Sequence, residues 1–489
     1  MAAPGHINTQ RSRSQIWRRR FLITFALFIV LPTLVHISIL LMTRIHPPEM
    51  AAVSGETTEA VAGLRVFGSS YARKRGGILE VRLAGSPEEI GYRHSRLLYP
   101  EMVANERTLY EQFSHYVPVP PLRWLIMDLS RLKFRHVDEG MTPERRREIA
   151  GEALGFSPDP YDGVLSTYHR FIFLHSLYDI ALSFEHSPLL GCTSFALTDG
   201  AFEGDHVVLA RNFDFEAGPV FDIGKAVFLM REDGRIPYAS VSWPGLVGAV
   251  SGMNAEGVAL VVHGARARQP REVGEPVVHT TRDILGLAHT TEEALALLRD
   301  RGPMVSHLLM IVDAKGDVAI VERAPGEPMF VRRSRGKVAL TNHLEGPLSS
   351  DPANQRVETT TSTRPRRMRL DELLSNLPAG ASVEQVVAIL RDKKGVGDVE
   401  LPLGHRRTID ALIATHAVVM DASARVLWVS EGPHLLGRFV RFDLRALLAT
   451  TYEPKMDEPL VTLPEDPVFQ SVDYKNWNNA GAPHHGESQ

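Results

Sequence analysis

One cysteine stands among the 489 residues: Cys192, inside the stretch SPLLGCTSFALTDG at 187–200. A free thiol has a pKa of about 8.5 and is mostly protonated at neutral pH, so a cysteine nucleophile needs a base. One source of base is a histidine brought in by the fold. Another is the cysteine's own α-amine, with a pKa of about 7.7–8.0, released by cutting the chain just ahead of it. Covalent geometry then holds nucleophile and base on a single residue. Gly191 before the cysteine suits a backbone that must strain for such a cut, and CTSFAL behind it reads as the start of a strand. The competing reading of a lone cysteine is a small buried hydrophobe.

Other chemistries find little support. A single cysteine leaves no intrachain disulfide framework and no cysteine-based zinc or iron–sulfur site. The twenty histidines form no HExxH pair, and His484-His485 stand in the tail, so neither a metal nor a cofactor is expected. No GxSxG elbow and no phosphate-binding glycine loop is present. The net charge of −4 argues against a nucleic-acid partner.

Strands must position Cys192. CTSFALTDGAFEGDHVVLARNFDF reads as strand, turn, strand, and four more such pairs follow. They are KAVFLMREDGRIPYASVSW with Asp233-Gly234 at the turn, LVGAVSGMNAEGVALVVHGA around Asn254 to Gly257, HLLMIVDAKGDVAIVER at Lys315-Gly316, and THAVVMDASARVLWVSEGP near Ala422 to Ala424. Short Gly/Asn/Asp turns between apolar runs indicate antiparallel sheets. Runs such as VALVV and HLLMIV are apolar at nearly every position, which requires cover on both faces. Amphipathic helices at 281–301, 367–377 and 382–393 can supply it. The expected architecture is a four-layer αββα sandwich.

The segment before Cys192 reads as mostly helical. After a strand in GGILEV, a helix opens at Ser86 with Glu88 and Glu89 in its first turn, and helical patterns recur over 143–155 and 162–184. At the N-terminus, residues 21–43 form 23 residues without a formal charge, long enough for a helix to cross the ~30 Å hydrocarbon core. Arg11, Arg13, Arg18, Arg19 and Arg20 precede them, so positive-inside reasoning leaves the N-terminus in the cytoplasm and the rest outside. A cleaved signal peptide is the alternative. The organisation expected is a basic N-terminus (1–20), a transmembrane anchor (21–43), a linker (44–76), a helical pro-segment (77–191), a catalytic domain (192–450) and an extended tail (451–489).

Six pieces in order resemble one family: GSPEEIGYRHSRLL, GCTSFAL with ARNFDF, SGMNAEGVALVV, MIVDAKGDVAIVE, TNHLEGP and VVMDASARVLWVSEGP. They look like the acyl-CoA:6-aminopenicillanate acyltransferases, self-cleaving N-terminal-nucleophile enzymes related to choloylglycine hydrolases and acid ceramidase. The resemblance spans roughly 79–445. It implies that Cys192 is both the autoprocessing and the catalytic nucleophile, cutting after Gly191 to give two subunits that stay together. It implies that Arg211 and Asp214 flank the nucleophile and that Asn342 helps form the oxyanion hole. His343 follows the family's TNH and reads as structural. Relatives carry a further arginine late in the chain, for which Arg364, Arg366, Arg406 and Arg407 are all candidates. Where relatives often show an asparagine after VVHGA's strand, this chain has His263, a pocket candidate.

The function expected is an amidohydrolase or acyltransferase acting on linear non-peptide amides through an acyl-thioester. The anchor suggests a lipid-like N-acyl substrate and an inner-membrane protein facing the periplasm, where scarce acyl-CoA favours hydrolysis. The alternative is an inactive, membrane-anchored binding protein on the same fold.

Overall fold

The computed structural model describes residues 13–163, 165–183, 190–215, 219–246 and 248–480. Arg11 and His484-His485 lie outside the described residues. Among the described residues, eighteen strands form two sheets. The first, in chain order, takes β1 (Thr58–Val61), β2 (Leu64–Phe67), β3 (Ser70–Arg75) and β4 (Ile78–Gly85). After the second sheet's β5 (Leu190–Leu197) and β6 (Val208–Phe215), it resumes with β7 (Ala226–Glu232), β8 (Tyr238–Ser242), β9 (Ser251–Asn254), β10 (Ala259–Gly264), β11 (His307–Val312), β12 (Val318–Arg323) and β13 (Phe330–Ser334). The second sheet is completed by β14 (Lys337–Leu340), β15 (Ala414–Asp421), β16 (Val426–Ser430), β17 (Phe439–Asp443) and β18 (Thr462–Leu463), in the order β14-β5-β6-β15-β16-β17-β18.

Side-chain alternation along the strands builds the layers. In β7, Val227 and Leu229 enter one core cluster while Phe228 and Met230 enter another; β10 divides the same way between Ala259/Val261 and Leu260/Val262. In β15, Val418 and Met420 join the cluster between the sheets, and Ala417 and Val419 join a third. The three clusters are the three interfaces of a four-layer αββα sandwich. One lies between the first sheet and its helices, one between the sheets, and one between the second sheet and its helices. Double-sided burial explains the unbroken apolar runs.

All five hairpins read from the sequence are present: β5–β6, β7–β8, β9–β10, β11–β12 and β15–β16. One ladder departs from the expected antiparallel pattern. β4 runs parallel to β7 over seven register pairs, from Leu79↔Ala226 to Gly85↔Glu232. The segment read as a linker at 44–76 also differs, because 58–75 contributes the edge strand β1 and its neighbours β2 and β3. The four-residue, exposed run of β1 suits an edge. The region 451–489 likewise carries β18 and a helix over Val472–Asn479 rather than only extended chain.

Helices cover both sheets. The N-terminal apolar segment is α1 (Arg13–Phe25), a π turn, and α2 (Leu31–Met42). Then come α3 (Pro87–Tyr116), α4 (Pro120–Lys133), α5 (Pro143–Gly155), α6 (Thr167–His175), α7 (Leu177–Leu182) and α8 (Pro219–Ile223). Ser86 and Glu89 close a capping box at the start of α3. The stretch 281–301 is two helices, α9 (Val277–Leu287) and α10 (Thr291–Arg299), because Thr290 breaks the run by capping the second. On the other face lie α11 (Pro352–Thr360), α12 (Thr363–Asn376) and α13 (Val383–Leu390).

Candidate active site

Cys192 is fully buried on β5, directly opposite Phe213 of β6. Its side chain shares the inward face with Ser194 and Ala196 and therefore points between the sheets. Arg211, opposite Ser194, points the same way and reaches across to the first sheet. One guanidinium nitrogen, Nη1, donates to the Val250 carbonyl (2.5 Å) and Ser251 Oγ (2.6 Å). The other, Nη2, donates to the Val262 carbonyl (2.7 Å) and lies 3.1 Å from Cys192 Sγ. The guanidinium also sits 4.3 Å from the centre of the Phe213 ring, a cation–π contact. Burial pushes the Cys192 thiol up from its ordinary range, and the Arg211 charge works against that rise.

Asp214 stands three residues after Arg211, so it points to the opposite face, toward the helices. It is opposite Gly191 in the ladder. A Cβ on Gly191 would lie 3.0 Å from Asp214 Oδ2. A side chain at this position would press on the carboxylate, which would have to give by a few tenths of an ångström; Gly191 sits in regular strand and is not among the residues at positive φ. That replaces the expectation of a strained glycine backbone. Asp214 Oδ1 has no hydrogen-bond partner among the described residues. Burial pushes its carboxyl up to about 6, against the pull of Arg366 and Arg406.

Asn342 follows β14, the strand hydrogen-bonded to β5 on the side away from β6. Its Oδ1 accepts from the Cys192 backbone N–H at 2.8 Å, and its Nδ2 donates to the Gly264 carbonyl at 3.0 Å. Of the four late arginines, Arg366 is the one in contact. From α12 its Nη1 donates to the Cys192 carbonyl (2.5 Å) and to Thr193 Oγ1 (2.8 Å), and its Nη2 to Asn342 Oδ1 (2.9 Å). Arg364 instead pairs with Glu358 at the surface, and Arg407 is exposed. Arg406 acts on Asp214 through its charge. The peptide groups around Cys192 are thus gripped from two elements, the turn after β14 and α12, with the thiol held by a third, β6.

His263 and His343 lie behind this cluster. His263 Nε2 meets Ser194 Oγ at 2.6 Å, two residues deeper along the nucleophile strand. It is fully buried, and burial holds its pKa well below the ordinary range, so the ring is neutral. His343 Nδ1 shares Thr363 Oγ1 (3.1 Å) with the Asn342 backbone N–H (2.8 Å). That fixes the turn carrying Asn342.

An aromatic wall was not foreseen from the sequence. Phe213 stacks with His416 (5.2 Å) and Tyr178 (6.5 Å), and Trp243 joins Phe213 (5.9 Å) to Phe221 (5.8 Å). Ser251, which receives Arg211, is itself held by His416 Nε2 at 3.0 Å. The Tyr178 hydroxyl is buried with no partner among the described residues, and burial followed by the Cys192 charge drives its pKa far up. The only sequence signal for these residues was the ARNFDF strand itself. No group of three or more potential metal ligands occurs among the described residues.

The chain is similar to several known proteins. A curated protein of Archaeoglobus fulgidus described as uncharacterized is 24% identical over 254 residues, covering 48% of this chain and 41% of that protein. The chain thus spans about two fifths of that relative's length. Among solved structures, the Caenorhabditis elegans ortholog of N-acylethanolamine-hydrolyzing acid amidase aligns at 14% identity and a TM-score of 0.35 over 47% of this chain and 93% of the other. Penicillin V acylase from Agrobacterium tumefaciens aligns at 20% identity and a TM-score of 0.34 over 56% and 98%. A family model, acyl-coenzyme A:6-aminopenicillanic acid acyl-transferase, matches residues 201–432, a span that holds Arg211, Asp214, His263, Asn342 and Arg366 and begins just after Cys192. Over residues 201–432, this chain is therefore similar to the acyl-coenzyme A:6-aminopenicillanic acid acyl-transferase family.

Proposed function

We propose that this protein cuts itself before Cys192 and then uses the freed residue to cleave linear, non-peptide amides. The observation that carries the reading is the grip on Cys192: Arg211 Nη2 3.1 Å from its sulfur, with Asn342 and Arg366 on its two peptide groups. In self-cleavage the thiol adds to the Gly191 carbonyl carbon and the Gly191–Cys192 C–N bond breaks. The thiol proton ends on the Cys192 nitrogen, now an α-amine. Water then adds to the Gly191 thioester, releasing a carboxylate and restoring the thiol.

In turnover the α-amine takes the thiol proton, and the sulfur adds to the substrate carbonyl. The Asn342 Nδ2 hydrogen not given to the Gly264 carbonyl, with backbone N–H groups, holds the developing oxyanion. The proton passes to the leaving amine, and an acyl-thioester remains on Cys192. Water, or an acceptor amine in a transferase, releases the acyl group. Arg211 steadies the thiolate, and Asp214, adjacent to the new N-terminus, steadies the ammonium form of the α-amine. The aromatic wall offers the apolar part of the substrate a surface.

The location proposed is an inner membrane with the catalytic domain outside, anchored by the apolar helix Gln15–Met42. There hydrolysis of a lipid-like N-acyl substrate is favoured over transfer from acyl-CoA.

Intact-mass analysis of wild type and Cys192→Ala tests the self-cleavage. Wild type is expected to yield a fragment beginning at Cys192, and the variant to remain whole and inactive. An active wild type with its 191–192 bond unbroken, or a variant that still splits there, overturns the reading.

A further inference from the structure

The polarity of α4 is inverted for a helix on the surface of a water-soluble domain. Leu122, Leu125 and Leu129, at the i, i+3, i+7 spacing of one helical stripe, are 45%, 54% and 56% exposed. Asp128 and Arg131 are instead buried, paired with each other at 3.0 Å. Tyr116 and Val119, just ahead of the helix, are exposed as well.

What α4 packs against is the N-terminal apolar helix. His36 Nδ1 lies 2.7 Å from Asp128 Oδ2, and the His36 ring lies 4.7 Å from the Trp124 ring. From Phe21 to Met42 the chain holds 22 residues, about 33 Å of helix at 1.5 Å per residue, which fits a ~30 Å hydrocarbon core. His36 is six residues before Met42, hence about 9 Å below that end of the span. Interfacial helices bury their apolar faces about 5–10 Å deep. Trp124, beside His36, therefore stands at the depth where a bilayer surface would receive it, and the exposed leucines lie on the same helix.

We propose that α4 lies in the membrane interface on the catalytic-domain side, as a second contact beside the anchor and with phospholipid as its occupant. This rests on the reading of Gln15–Met42 as a retained anchor. The contact fixes the domain's tilt as well as its tether. Elsewhere in the same helical layer, α3 lines a mostly apolar cavity with Met102 and Leu109, closed by Phe171, Phe221 and Leu246. Phe221 belongs to the aromatic wall that leads to Phe213 and Cys192.

The test uses the full chain in phosphatidylcholine–phosphatidylglycerol vesicles, with single cysteines in a Cys192→Ala background carrying a nitroxide label. Leu122→Cys, Leu125→Cys and Leu129→Cys are expected to favour collisions with oxygen over a water-soluble nickel chelate severalfold more than Arg135→Cys, an exposed site just past the helix. Leu34→Cys on α2 reports the anchor. A lipid-buried Leu34 label with water-exposed α4 labels overturns this inference and leaves the anchor standing; water exposure at both overturns the anchor itself. Spin–spin broadening with exclusion of both reagents from the α4 labels would show a second copy of the chain covering the stripe and also overturn the inference.

Discussion

Arg211 and Asp214 sit three residues apart on one strand, and that odd spacing sends them to opposite faces of the sheet. The guanidinium meets the sulfur on the inward face, while the carboxylate meets the backbone of Gly191 from the helix side. The pair therefore divides the labour around one residue. Asp214 also bears a cost in stability. Its buried carboxyl titrates near 6 rather than near the ordinary 3.8, so its ionisation penalises the folded state. That stability is fully present below pH 3.8 and lost as pH rises through about 6. In the uncleaved Cys192→Ala chain, adding Asp214→Asn is expected to raise stability relative to the parent as pH increases from 4 to 8. The gap should grow by about 2 kcal/mol, read from denaturant unfolding at each pH. In the Cys192 chain the same substitution is expected to lower amide turnover by about 10²-fold or more. A gap that stays flat with pH would show that the carboxyl is not buried as described.

Two helices carry much of the arrangement at the scale of elements. The α12 helix brings Arg366 down onto the Cys192 carbonyl, and its first residue, Thr363, holds the turn of Asn342. On the other side α5 crosses α3 at glycine contacts. A Cβ at Gly151 would stand 2.2 Å from the Glu88 carbonyl oxygen, and one at Gly91 1.9 Å from that of Glu148. Only backbone-to-backbone approach fits there, and the obstacle is main chain that cannot swing aside. Close approach lets α5 insert Arg145, Glu148 and Glu152 into a buried ionic cluster. Gly151→Val is expected to force the helices apart and cost about 3 kcal/mol or more, measured as a fall in thermal midpoint. An unchanged midpoint would mean that the α3–α5 crossing is looser than described.

The whole molecule is stitched across the Gly191–Cys192 bond. The parallel pair β4–β7 joins a strand from before the bond to one from after it. Arg145, from before it, meets Glu232 at 2.8 Å and Asp283 at 3.1 Å, and Glu148 meets Arg282 at 2.7 Å, all of them buried. Breaking such pairs would leave uncompensated charges in a low dielectric, which is strongly unfavourable. Cleaved protein is therefore expected to elute in size-exclusion chromatography as one species containing both fragments, still so at 1 M salt, because buried pairs are only weakly screened. Dissociation of the fragments on cleavage or in salt would contradict this account of the core.

Much of this was written locally in the chain. The five hairpins, the capped start of α3 and the two-faced burial of the strands follow from turn residues and alternation over a few positions, which act before distant contacts form. Cys192, Arg211, Asp214 and Asn342 were legible as candidates because their motifs are contiguous. The tertiary structure alone decided which of four late arginines reaches the nucleophile, because that depends on the phase of α12 over a strand some 170 residues earlier in the chain. It alone paired β4 parallel to β7, drew 58–75 into the sheet edge, assembled Tyr178, Trp243 and His416 around Phe213, and turned the leucines of α4 outward. Each of these is a contact between residues far apart in sequence, settled by the packing of completed elements rather than by the preferences of the residues within them.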